Sequence, residues 1–158
     1  MRSTARHLAV VVLVGLFVLM WRAHADRDIV VAQTRKPIMA TRIYTCADGL
    51  SHAEAIELKT IRGGATEMVK ATGVEFSSRP PSTLVDWHTG PRRQFVITLS
   101  GRAELEVGNG QKVSVGPGQI NLIEDTTGKG HTTRNVGPDD RIVVTIPLAD
   151  QTVGRPGR

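Results

Sequence analysis

Cysteine is nearly absent from this sequence: Cys46 is the only one in 158 residues. A single thiol closes no disulfide within the chain, so the fold has to be held by an apolar core, and Cys46 reads as a small, half-buried hydrophobe. Aromatic residues make up only 4% of the sequence. That leaves the core to Val, Ile and Leu, and the β-branched pair favours strands over helices. Clustered charge is missing too. The net charge is +5, but Arg2, Arg6 and Arg22 all precede residue 26. Residues 26–158 carry 17 basic and 15 acidic side chains with no block of five like charges. Nucleic-acid binding needs several cations acting together, so no nucleic-acid partner is expected. There is no Gly-x-Ser-x-Gly elbow, phosphate loop or dinucleotide fingerprint. No apolar run reaches the roughly 20 residues that a membrane-crossing helix requires.

What is present begins with a leader. Met1–His7 is short and basic, Leu8–Trp21 is an uncharged apolar run of 14 residues, and Ala23-His24-Ala25 is an A-x-A cleavage pattern. Residues 1–25 therefore predict a short hydrophobic signal helix. The mature chain would start at Asp26, be exported to the periplasm or secreted, and keep no stable membrane insertion. An uncleaved N-terminal membrane anchor is the alternative. Residues 26–41, polar and containing Pro37, predict a flexible arm. Residues 42–150 predict one domain and 151–158 a disordered tail.

Within 42–150, short apolar runs alternate with turn residues. Ile43–Thr45, Ala53–Leu58, Val74–Ser78, Leu84–His88, Gln94–Leu99, Ala103–Val107, Lys112–Val115, Ile120–Ile123, His131–Val136 and Arg141–Leu148 each predict a strand. A spacing of 8–12 residues between short strands is that of a β-sandwich or barrel. Asn109-Gly110 predicts a tight hairpin, since both residues tolerate positive φ. One helical turn is expected, at Glu67–Thr72. Glu104 and Glu106 alternate with Ala103, Leu105 and Val107 and read as a solvated face.

Two stretches carry a family resemblance. From His88 to Gly101 the chain resembles the first signature of the cupin superfamily. His88 matches the first histidine, Gly90 stands at the second, Gln94 replaces the glutamate and Gly101 matches the turn glycine. From Gly110 to Asn121 it resembles the second signature, with Gly116-Pro117-Gly118 as the turn and Asn121 in the histidine position. The wider string from Ile43 to Leu148 is similar to small bacterial cupin-domain proteins. The resemblance implies an all-β fold, a double-stranded β-helix or jelly roll. It implies little about a reaction, because one fold hosts many chemistries.

Metal-binding cupins are thought to use two or three histidines and a carboxylate, which suit Fe, Mn, Ni, Cu or Zn. Here the corresponding set is His88, Gln94 and His131, with His52 or Asp125 as a further donor. Gln94 brings no charge, and Gly90 and Asn121 bring no imidazole. A metal site and a metal-free polar pocket for a small molecule therefore both stay open, as do an enzyme and a non-catalytic binding or structural module. His88 and Gln94 flank the Gly90-Pro91 turn, and His131 follows a Gly-Lys-Gly loop, so the three are expected to converge in one cavity. Trp87, Arg93 and Thr98 are taken as pocket residues: Trp87 adjoins His88, Arg93 or its neighbour Arg92 could hold an anion at the cavity entrance, and Thr98 shares a strand face with Gln94. The opposite face, Phe95, Ile97 and Leu99, permits a homodimer without requiring one.

Overall fold

In a computed structural model, residues 36–61 and 63–151 are described. The predicted leader, most of the predicted arm and nearly all of the predicted tail lie outside them. The described residues form ten strands and no helix. These are β1 (Ile38–Thr45), β2 (Ser51–Leu58), β3 (Glu75–Arg79), β4 (Leu84–His88), β5 (Gln94–Ser100), β6 (Arg102–Val107), β7 (Lys112–Val115), β8 (Ile120–Glu124), β9 (His131–Val136) and β10 (Arg141–Pro147). One sheet runs β2-β1-β8-β5-β10-β3 and the other β4-β9-β6-β7. Setting aside the β1–β2 hairpin at the edge, eight strands divide into two four-stranded sheets, and successive strands alternate between them except for the β6–β7 hairpin, which stays in one. That is the strand order of a jelly roll.

Most strand bounds shift by a residue or two, and three segments differ more substantially from expectation. β1 starts at Ile38, so the last four residues of the expected arm are strand; Ile38–Thr45 pairs along its whole length with β2, and Thr41–Tyr44 pairs in parallel with β8. Glu67–Thr72 is not helical. Its backbone is spent on the end of β10 instead: Thr72 N donates to Pro147 O, Ala149 N donates to Lys70 O, and Ala71 bridges Leu148. Gln151, expected in the tail, is tied in, with its side-chain oxygen accepting from Arg93 N at 2.7 Å.

Strand alternation decides what is inside. Ala103, Leu105 and Val107 of β6 are buried with Ile43, Val115 and Ile123 in one apolar cluster. Each fully buried side chain of this size contributes about 1.5–3 kcal/mol. Glu104 points the other way and pairs with Lys112 at 2.9 Å. The cluster is built from β1, β6, β7 and β8. Beside it a cavity opens between the sheets, lined from β3, β4, β5, β8, β9 and β10, with Leu105 and Ile123 of the cluster forming part of its wall. Phe95 and Ile97 are half-buried and Leu99 is exposed, Cys46 is free and half-buried, and Phe76 and Ile142 are further exposed apolar residues.

Candidate functional site

The cavity measures about 420 Å³, within the range of small-molecule sites. His88, Gln94 and His131 all line it, with Asn121, Thr133 and Thr145 among the other polar residues. His88 and His131 are register partners on β4 and β9. Their rings lie 4.5 Å apart, centroid to centroid, tilted by 54°. Gln94 starts β5 opposite Ile123 of β8.

A glycine allows the two histidines to meet. Gly130 has φ +73°, and a Cβ there would lie 2.0 Å from the carbonyl oxygen of His88. Only a residue without a side chain lets the loop before β9 come that close to β4. Gly90, at the position where the second cupin histidine would stand, is crowded by a side chain instead: its Cβ would lie 2.5 Å from Ile123 Cγ2, so a side chain there requires Ile123 to shift.

The hydrogen bonds set both tautomers. His131 Nδ1 lies 2.6 Å from Asp125 Oδ2, and both residues are buried. A carboxylate only accepts, so Nδ1–H donates and Nε2 is the free ring nitrogen. His88 Nδ1 lies 2.8 Å from the Asp86 carbonyl oxygen, which likewise only accepts, so its Nε2 is free as well. Burial pushes the His88 pKa down, against a smaller upward pull from the Asp86 carbonyl. Chemically this gives two imidazoles that turn Nε2 away from their protein hydrogen bonds, one of them backed through Nδ1 by a buried carboxylate that stabilises it whenever it holds a second proton.

Several pocket residues expected from the sequence sit elsewhere. Trp87 is outside the cavity lining, with Lys129 Nζ 3.8 Å from its ring centroid. Arg93 is also outside it. Its Nε donates to Glu124 Oε1 at 2.5 Å, and Arg42 donates to the other oxygen of the same buried carboxylate at 2.6 Å. Arg93 is thus half of an ion-pair clip that joins β1 to β8 and the turn before β5. Thr98 is fully buried behind the lining, where Arg141 Nη2 donates to its hydroxyl at 3.1 Å. His52 is held by Asp48 at 3.1 Å and by Asn109 at 3.1 Å on the β2 side of the molecule, and it does not line the cavity. Asp125 reaches the site only through His131.

Of the arginine pair in the turn, it is Arg92 and not Arg93 that lines the cavity, and Arg79, Arg141 and Glu75, which sequence reasoning passed over, line it too. A signal for Arg141 was available. Arg141, Val143 and Thr145 alternate on β10, the same parity that puts Gln94 and Val96 inside on the neighbouring strand.

No protein-family model matches this sequence, and no curated protein matches it. Among solved structures, it is similar to a cupin domain from Bordetella pertussis. The identity is 20%, over 49% of this chain and 80% of that one, with a TM-score of 0.40. It is also similar to a double-stranded β-helix domain protein from Klebsiella pneumoniae. There the identity is 23%, over 61% of this chain and 80% of that one, with a TM-score of 0.42. The eight-strand order has already established the architecture. The fold is a double-stranded β-helix, the jelly roll that its strand order describes. In this fold the donors present do not make up a divalent-metal site. Among the described residues no group of three or more His, Cys, Asp or Glu side chains is placed to hold a metal. The cavity offers two imidazoles and a neutral carboxamide, its nearest buried carboxylate is bonded to His131, and three arginines line the same space. A dication bound by nitrogen and oxygen donors relies on an anionic ligand, which His88, His131 and Gln94 do not supply; the one lining carboxylate, Glu75, is exposed on the edge strand β3.

Proposed function

We propose that this chain is an exported cupin-fold module that binds a polar small molecule in a metal-free cavity between its sheets. The observation that carries the reading is the buried Asp125–His131 bond beside His88 at the wall of that cavity. Two imidazoles with fixed tautomers make a site ready to receive hydroxyl donors, since orientation is settled before the ligand arrives. Export is supported by the basic, apolar and A-x-A segments of residues 1–25.

The test uses protein purified from the exported fraction without a histidine tag. Elemental analysis is expected to find transition metal well below one equivalent per chain, and N-terminal sequencing to start at Asp26. A stoichiometric metal that survives dialysis in the wild type and is lost in His88→Ala would overturn the metal-free reading. An intact Met1 in the membrane fraction would turn the leader into an anchor.

A further inference from the structure

The cavity has two chemically different ends. On the six-stranded sheet, the inward row at one end is Pro147, Gln94 and Ile123, which are register partners across β10, β5 and β8. His88 and His131 line the cavity as well, and His131 pairs with Val107 at the matching end of the second sheet. At the far end of β10, Arg141 pairs with Arg79 of β3, and both line the cavity.

Arg141 is the unusual member. Its residue is only 4% exposed, and its Nε is buried with no hydrogen-bond partner. Its one side-chain bond is to a neutral hydroxyl, that of Thr98. None of the ion pairs among the described residues includes Arg141 or Arg79. A guanidinium out of water and without a counter-ion costs several kcal/mol in proteins, and here a second guanidinium is its strand neighbour. Burial, and then Arg79, lower the Arg141 pKa to about 10, which leaves it cationic at neutral pH. Arg92 adds a third guanidinium to the lining, against the single carboxylate of Glu75. Elsewhere in the lining Asn121 presents another orphan, a buried Oδ1 that accepts nothing.

We infer that the ligand is a small hydroxylated organic anion, its acid group seated on Arg141 and Arg79 and its hydroxyls received by His88, His131 and Gln94. An anion would give the buried guanidinium its missing acceptor and its missing counter-charge together. The other end suits hydroxyls, because His88, with its Nδ1–H spent on the Asp86 carbonyl, turns Nε2 to a ligand as an acceptor, and the Gln94 carboxamide can accept or donate. This rests on the reading of the cavity as a binding site, and it adds the charge of the occupant and its direction.

The test is thermal shift and calorimetric titration of the full mature chain with matched probes that differ in charge: gluconate against sorbitol, and glycerol 3-phosphate against glycerol. An anionic member of a pair is expected to bind and raise the Tm, and its neutral partner is not. Which pair responds separates carboxylate from phosphate recognition. Arg141→Gln and Arg79→Gln should each weaken the anion by about ten- to a hundredfold, the loss of one hydrogen bond to a charged group, and Arg141→Lys should recover part of it. Arg141→Met is a folding control: without ligand it should melt no lower than wild type, because it removes a buried unpaired charge, yet it should show no anion-induced shift. Neutral probes binding as well as anions would overturn the inference and leave the binding cavity standing. Anion binding that persists in both arginine variants would place the anion elsewhere and overturn it too. No response to any probe would count against both readings.

Discussion

Replacing His131 with Phe keeps a ring of similar size in the wall of the cavity and removes the donor that Asp125 depends on. Asp125 is fully buried and one of its oxygens, Oδ1, already has no partner, so Oδ2 and its 2.6 Å bond to His131 are what that side chain has. Stranding a buried charge by deleting its partner costs about 3–5 kcal/mol. The reverse deletion, Asp125→Ala, leaves an imidazole with one unmet N–H, a loss of about 1–3 kcal/mol. His131→Phe should therefore be the more destabilising change, although it removes less side-chain volume. In the double variant no stranded group remains, so the two losses should fall short of additivity by about 0.5–3 kcal/mol, the range found for contacting pairs. Urea unfolding at neutral pH, followed by circular dichroism, gives all four free energies. Additivity within about 0.5 kcal/mol, or Asp125→Ala proving the costlier change, would refute the account of the pair.

Two further outcomes follow from the same geometry. His88 has its pKa lowered in the folded state by burial, so the unfolded chain takes up the proton first. Stability from this group is complete above the unfolded value near 6.5 and is lost as the pH falls below it. The wild-type midpoint in urea should drop between pH 7 and pH 5 by more than that of His88→Gln, and parallel profiles would contradict this. Among glycines, Gly130→Ala should destabilise most, since its Cβ would lie 2.0 Å from a backbone carbonyl at φ +73°, whereas Gly110→Ala, at φ +86° with open space around it, bears only the backbone strain of about 1 kcal/mol. Equal melting temperatures for the two variants would show that the close approach of β9 to β4 is not needed.

Much of the architecture could be read along the chain because strands and turns are local. Leu84–His88, Lys112–Val115 and His131–Val136 begin and end where alternation and the flanking Gly, Pro and Asn residues place them. Alternation also sorted β6 into Ala103, Leu105 and Val107 inside and Glu104 and Glu106 outside. The Glu67–Thr72 segment went the other way. Its local pattern is that of a helical turn, but its amide and carbonyl groups bond to Pro147 and Ala149, nearly eighty residues on. A tertiary partner overrode a weak local preference.

The sequence by itself determined an all-β body with ten short strands, a cupin-like hairpin pair, and His88, Gln94 and His131 as its polar candidates, because side-chain parity and turn chemistry depend on neighbours a few residues apart. Only the tertiary structure decided what each polar residue faces. Arg93, adjacent to the cavity residue Arg92, is turned onto Glu124. His52, one of three histidines in the body, is carried to the β2 side. Asp125 lies behind His131, and Arg141, at the start of an apolar strand, has its guanidinium buried beside Thr98. Burial and partnership depend on which strands the jelly roll brings face to face, and that pairing joins residues dozens of positions apart, beyond the reach of any local pattern.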